Sequence, residues 1–247
     1  MDDLFSLKNK VAIITGGARG NVKAIAQGFL NYGAIVYTID LISREPLSLG
    51  ETILIGDITV EKTVEDFVTQ IINECSKIDI LLNNAGVSIS APSEEYALAD
   101  WKKTFDTNLT ANFRLSQLVA KNMIDRKTEG SIINITSLGS ELGFPCNPAY
   151  VSAKGGLKML TKALATDWAK YNIRVNNICP GYIYTNMTKK SSNDPEMHKE
   201  RLKRMMIPRW GNSEDLVGAA IFLASNASRY VTGIDLFVDG GWTSKGL

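Results

Sequence analysis

The sequence predicts an α/β fold: a single Rossmann-like, doubly wound parallel sheet of about seven strands with helices on both faces. Three observations carry this. Short β-branched apolar runs recur along the 247 residues, separated by segments whose apolar residues follow helical spacing. The runs stop at Gly, Asn, Asp or Ser, the residue types that border a ligand crevice at the carboxyl ends of parallel strands. The length fits one domain, residues 1–247, able to bury a core without disulfides or metal.

The first run is Val11 to Thr15, followed by Gly16-Gly17-Ala18-Arg19-Gly20 and an apolar-periodic segment with Val22, Ala26, Phe29 and Leu30. Strand, glycine turn and helix in that order let backbone approach a phosphate, and the helix start offers free N–H groups and a positive dipole end. Ile35 to Ile39 is the second strand, ended by Asp40, whose carboxylate is placed to accept from a ribose diol. Together these favour a bound dinucleotide. Thr52 to Ile55 is the third strand, and Gly56-Asp57-Ile58 then leads to a helix over Val60 to Ser76, where Asp57 reads equally well as a turn acid. The fourth strand, Ile78 to Leu82, stops at Asn83-Asn84-Ala85-Gly86. That is either a plain turn or a border of the nicotinamide ribose.

A helix is predicted over Trp101 to Ile124 from Phe105, Leu109, Phe113 and Leu118, with Asn108 inside it. A buried mid-helix amide needs partners, so Asn108 invites a functional role. The fifth strand, Ser131 to Thr136, ends at Ser137, and a Gly/Pro-broken loop leads to a helix from Tyr150 to about Tyr171. Tyr150 and Lys154 share one face of it. A free phenol has a pKa of about 10, and a neighbouring ammonium favours the phenolate, so Tyr150 is a candidate general acid and base. The Ser137 hydroxyl is placed to hold a carbonyl or alcohol oxygen against it.

Ile173 to Ile178 is the sixth strand, running into Pro180-Gly181-Tyr182-Ile183-Tyr184-Thr185; a helix over Ser213 to Ala224 and a seventh strand, Ile234 to Val238, follow. Residues 186–209, rich in Met and charge, read as a mobile lid over the crevice, its KERLKR stretch as a solvated helix face. His198, the sole histidine, is expected at the surface, and its solitude excludes His-based triads and the HExxH zinc pattern.

Lys plus Arg is 27 and Asp plus Glu 26, so no charge excess points to nucleic acid or an anionic membrane. Cys75, Cys146 and Cys179 are scattered, which suits free thiols in or near the core rather than a disulfide framework. No metal-ligand spacing occurs, so no metal is expected. The N-terminal MDDLFSLKNK lacks a signal-peptide pattern and no apolar run is long enough to span a bilayer, so a soluble, cytoplasmic protein acting on a small molecule is expected.

TGGARG, Asp57, NNAG at Asn83 to Gly86, Asn108, Ser137, YVSAK at Tyr150 to Lys154, PGYIYT and VTGIDLFVDGG together resemble the short-chain dehydrogenases/reductases over essentially the whole chain. The resemblance implies a catalytic tetrad of Asn108, Ser137, Tyr150 and Lys154, with Asn108 holding a water that links Lys154 to solvent. By the same likeness the cofactor is lined by Gly16, Arg19, Gly20, Asn21, Asp40, Leu41, Asp57, Ile58, Asn84, Ala85, Gly86, Tyr150, Lys154, Pro180, Gly181, Ile183 and Thr185. A homotetramer is implied as well. One departure stands out: where the family places a third glycine this chain has Val22, whose volume is expected to shift the turn or weaken binding. A non-catalytic nucleotide-binding or scaffold relative is the alternative that Val22 leaves open.

Within the family the chain looks most like gluconate-type sugar-acid and polyol dehydrogenases, with 3-oxoacyl thioester reductases as the alternative. Substrate contacts are expected from Ser137, Tyr150, Glu141 and Asn147; Glu141 reads equally as a loop or interface acid. Asp40 predicts NAD(H) over NADP(H), because a 2′-phosphate there would meet a like charge. Arg19 and Arg44 lie close enough in sequence to offset part of that repulsion.

Overall fold

A computed structural model describes residues 4–17 and 20–246. Seven strands form one parallel sheet: β1 (Val11–Thr15), β2 (Ile35–Asp40), β3 (Glu51–Ile55), β4 (Ile80–Asn83), β5 (Gly130–Ile135), β6 (Ile173–Pro180) and β7 (Asp235–Val238), in the order β3-β2-β1-β4-β5-β6-β7. The winding reverses between β1 and β4, which opens a crevice beyond their carboxyl ends. The predicted strands are all present, with boundary shifts of one to two residues. β4 starts late because Asp79 is buried ahead of it, its carboxylate accepting from Val11 N at 2.8 Å and pairing with Lys77 at 2.9 Å. β6 runs on to Pro180 because that edge pairs with β7, and Gly181 N resumes the bonding by donating to Val238 O at 2.9 Å.

Alternation along β1 sends Val11 and Ile13 to one face and Ala12 and Ile14 to the other. The first pair packs with apolar residues of α2 (Glu61–Cys75), α4 (Ala111–Arg126) and α5 (Pro148–Trp168); the second packs with α1 (Asn21–Asn31) and α8 (Val217–Ala224). These are the two cores of a doubly wound sheet. Asn172, in the left-handed region at φ 60°, turns the chain from the end of α5 into β6.

The helix predicted over Trp101 to Ile124 is α3 (Leu98–Phe105) continuing through a π turn, Asp106–Thr110, into α4. The wide turn brings Asn108 to face Val87: its Oδ1 accepts from Val87 N and its Nδ2 donates to Val87 O, both at 2.8 Å. Residues 186–209, predicted as a lid with a helix face at KERLKR, contain α6 (Lys189–Asn193) and α7 (Pro195–Arg204), the latter capped by Asp194. A one-pair bridge between Ile183 and Gly211 joins the two ends of this segment.

Behind the site, a row of polar side chains crosses the sheet. Asn83 Nδ2 donates to Asn134 Oδ1 at 2.9 Å, Asn134 Nδ2 to Thr161 Oγ1 at 2.8 Å, Thr161 Oγ1 to Asn177 Oδ1 at 2.7 Å, and Asn177 Nδ2 to Asp235 Oδ1 at 2.7 Å. The first four residues are fully buried. Such groups are tolerated inside only when bonded to one another.

Candidate active site

A cavity of about 1180 Å³ occupies the crevice beyond the strand ends. Ser137, Tyr150 and Lys154 line it together. Ser137 begins the short 3-10 turn after β5, and its Oγ accepts from Gly139 N at 3.0 Å. Tyr150 and Lys154 lie on the first turns of α5, which starts at Pro148 with the proline in the first turn, where its missing N–H costs nothing. Lys154 is 3% exposed, donates to Ile135 O at 2.6 Å and stands 5.9 Å from the centroid of the Tyr150 ring.

The electrostatics differ from the sequence-based expectation. Burial raises the Tyr150 phenol above its ordinary value, and the Ser137 hydroxyl only partly opposes that shift. The same burial lowers Lys154 to about 8, with Cys179 acting weakly the other way. Desolvation penalises both charged forms, so here it outweighs the mutual help expected of a phenol beside an ammonium.

Asn108 is fully buried, and its amide is consumed by Val87, just beyond Gly86. It therefore pins the loop after β4; its backbone oxygen accepts from Asn112 Nδ2 at 2.9 Å. Of the predicted substrate contacts, Asn147 lines the cavity and holds its opposite wall, accepting from Ser88 Oγ at 3.1 Å and donating to Ser90 Oγ at 3.0 Å. Glu141 pairs with Lys158 of α5 and is absent from the lining of the cavity.

The other end of the cavity fits a dinucleotide. Gly16, at φ 77°, lies where a Cβ would come within 2.9 Å of Asn84 Nδ2, and a Cβ on Gly17 would strike Thr38 at 2.5 Å. Side chains at these two positions would collide with β2 and with the turn after β4, so only glycine lets the turn lie this close to the strand ends. Gly20, Asn21, Asp40, Leu41, Asp57, Ile58, Asn84, Ala85, Gly86, Pro180, Gly181, Ile183 and Thr185 all line the same cavity. Arg19 falls outside the described residues. Asn84 and Ala85 both donate backbone N–H to Thr15 Oγ1, which ties the ends of β1 and β4. One oxygen of Asp57 is occupied by Thr59 N at 2.8 Å, as its turn-acid alternative required.

Val22 does not enter this cavity. It is fully buried in the core between α1 and the turn before α8, with Leu216 and Ile221 in the same cluster. Asn21 Oδ1 accepts from Ser213 Oγ at 3.1 Å, fastening the start of α1 to that turn. Arg44 is likewise committed: it donates to Gly17 O at 3.1 Å and forks onto the buried Glu51 carboxylate, which also accepts from Leu47 N at 2.7 Å. Sequence spacing gave no sign of that pairing, because Glu51 falls just ahead of the strand predicted over Thr52 to Ile55.

The family whose model carries the description "Enoyl-(Acyl carrier protein) reductase" matches residues 16–243. A gluconate 5-dehydrogenase of Gluconobacter oxydans is 41% identical over 250 residues, 98% of this chain and 97% of that protein. The chain is a short-chain dehydrogenase/reductase. A second relative of this dehydrogenase, the 2-dehydro-3-deoxy-D-gluconate 5-dehydrogenase of Formosa agariphila, is also 41% identical, over 97% of this chain and 94% of that one. Among solved structures, a gluconate 5-dehydrogenase from Burkholderia cenocepacia, in complex with NADP and tartrate, superposes with a TM-score of 0.94 at 36% identity and covers 99% of each chain. Short-chain dehydrogenases/reductases are NAD(P)-dependent oxidoreductases acting on CH–OH groups.

Three further features escaped the sequence-based analysis of this dehydrogenase. His198 is not simply at the surface: it is half-buried and stacked on Trp210, ring centroids 5.8 Å apart. Cys146 is exposed in the loop before α5 rather than near the core. KERLKR is not wholly solvated, since Arg201 lines the cavity above Tyr182. None of the described helices is long and apolar enough to cross a membrane, and the described residues contain no cluster with metal-ligand geometry.

Proposed function

We propose that this protein interconverts a secondary alcohol and a ketone on a sugar acid or polyol, with NAD(H) as the preferred cofactor. The observation that carries the reading is the convergence of Ser137, Tyr150 and Lys154 on one wall of the cavity whose far end is the glycine cradle. The named activities of the relatives supply the substrate class.

When bound, the nicotinamide accepts or gives the hydride. The chain does the rest. Ser137 Oγ holds the substrate oxygen, and the Tyr150 hydroxyl gives a proton to that oxygen as the alcohol forms or takes it as the ketone forms. Because burial holds Tyr150 protonated, the donor form is ready near neutrality, and the reverse direction requires the phenolate at higher pH. Lys154, fixed by Ile135 O, keeps a positive charge beside that oxygen while its own proton is retained. Asn108 and Asn147 act at one remove, holding the loop residues Val87, Ser88 and Ser90 that border the substrate end.

NAD(H) preference is supported by Asp40 at the end of β2 and by the engagement of Arg44 with Glu51, which keeps that arginine away from any 2′-phosphate. The Burkholderia relative holds NADP, so the proposed preference rests on Asp40 and the Arg44–Glu51 pair of this chain alone. Closure of residues 186–209 over the substrate, a homotetramer and a cytoplasmic location belong to the same proposal. The description of the matching family favours an acyl thioester as the second reading. The deciding experiment is a panel of sugar acids, polyols and 3-oxoacyl thioesters with NAD(H) and NADP(H), followed at the nicotinamide absorbance. A 3-oxoacyl thioester turning over faster than every sugar would overturn the substrate class.

A further inference from the structure

The cavity must do more than present an oxygen to Tyr150 if it is to choose an acid over a neutral polyol. That choice needs a cation whose hydrogen-bonding edge is still open. Among the described residues, five that line the cavity carry ammonium or guanidinium groups: Lys102, Lys103, Lys154, Lys190 and Arg201. Lys154 is spent on Ile135 O and on the reacting oxygen. Lys102, Lys103 and Lys190 are solvent-exposed, flexible and strongly hydrated, which suits them poorly to fixing one end of a small substrate.

Arg201 is different in three respects. It is half-buried on α7, and its guanidinium carbon lies 4.4 Å from the centroid of the Tyr182 ring, so its plane is set by cation–π contact. Its Nε is enclosed and has no hydrogen-bond partner, although buried polar groups are normally satisfied. Among the described residues no carboxylate pairs with it, whereas its neighbours on α7 are engaged: Lys203 with Glu200, and Arg204 over Trp242 at 5.7 Å. Met187 and Met197 line the cavity with it. A guanidinium that lines the cavity, carries an unsatisfied nitrogen and pairs with no carboxylate of the described residues has the chemistry to take a substrate carboxylate.

We infer that Arg201 is the specificity-determining anchor for the substrate carboxylate, holding the acid end of a hydroxy acid while Ser137 and Tyr150 engage its secondary alcohol. This rests on the proposed function and names the group that selects the acid within it. It also places the selecting cation on the segment proposed to close, so that an acid substrate would draw α7 toward the cavity.

The test is steady-state kinetics of the full-length wild type, Arg201→Gln and Arg201→Lys, with D-gluconate and with D-glucitol, a neutral polyol of equal carbon count. Arg201→Gln should lose about 30-fold or more in kcat/KM for gluconate, chiefly through KM, as expected for removing one partner of a desolvated charge pair. Arg201→Lys should recover part of it. Turnover of glucitol and KM for NAD should change less than about threefold. Equal losses on both substrates would show a merely structural part in the lid, a loss confined to the cofactor KM would place the arginine on the dinucleotide, and no loss would leave it a surface residue; each overturns the inference. If wild type uses neither compound, the proposed function fails separately, and the anchor is read from competitive inhibition by tartrate of whichever alcohol is turned over: weaker inhibition of Arg201→Gln upholds it, and equal inhibition overturns it.

Discussion

Lys154→Met is expected to trade activity for stability in a pH-dependent way. The lysine is 3% exposed, and burial lowers it from 10.5 to about 8. Below pH 8 both folded and unfolded chains carry the proton, so the folded state bears the whole desolvation penalty. That penalty is about 3 kcal/mol, because each tenfold loss of proton affinity corresponds to roughly 1.4 kcal/mol. Between pH 8 and 10.5 only the unfolded chain stays charged, and the penalty fades as pH rises. Methionine keeps the apolar stem and removes the charge, at the cost of leaving Ile135 O without its donor, about 1–3 kcal/mol. The two effects nearly offset at neutral pH, but only one depends on pH. Linkage over these values makes wild type gain about 1.3 kcal/mol relative to the variant between pH 7 and pH 9. Urea unfolding of both proteins at the two pH values measures this directly, with titrations elsewhere in the chain cancelling in the difference. A stability difference that does not move with pH, or that moves toward the variant, would show that Lys154 is not penalised by burial. Turnover of the variant should fall to a small fraction of wild type at both pH values.

Tyr150→Phe should reduce turnover by about 10²–10⁴-fold while NADH titrated by fluorescence binds as before, because the ring is kept and only the exchangeable proton is lost. In wild type, alcohol oxidation should climb as pH rises above neutrality and ketone reduction should fall, since burial raises the phenol; a pH-independent oxidation rate from pH 7 to 10 would contradict that. Asp40→Ser should relax the cofactor preference mainly by admitting NADP(H), read as kcat/KM for both nicotinamides; a wild type that already prefers NADP(H) would refute the role given to Asp40. Thr161→Val should destabilise by about 2–4 kcal/mol in urea, because Asn134 loses an acceptor and Asn177 a donor, and Thr161→Ser should recover most of it.

The sheet was legible because β-branched runs with turn residues at their ends leave few alternatives, and the topology follows from parallel winding. The convergence of Ser137, Tyr150 and Lys154 on one cavity was legible because they lie at a strand end and on one helix face, where spacing fixes position. What stayed hidden depends on contacts between distant segments. Nothing local to Arg44 tells that Glu51 will occupy it, and nothing in KERLKR separates Arg201 from its solvated neighbours; both follow from how segments fold back on the strand ends. Val22 was read along the chain as a departure at the glycine turn, and its burial in the core under α1 became visible only once the helix was placed against Leu216 and Ile221.

The polar row from Asn83 to Asp235 has a direction. Every link donates toward β7, and the final member is a carboxylate, which when ionised can only accept. That terminus dictates the orientation of each amide before it: turning one asparagine over would set oxygen against oxygen, and the conflict would pass to its neighbour. The row therefore behaves as one aligned string of dipoles whose sense is set at a single carboxylate, which pairs with Lys158 at 3.6 Å and Lys162 at 3.8 Å. A sheet slipped by one residue would turn these groups onto apolar faces and lose every link at once, so the row rejects misregistered pairings that the surrounding isoleucines and valines would accept.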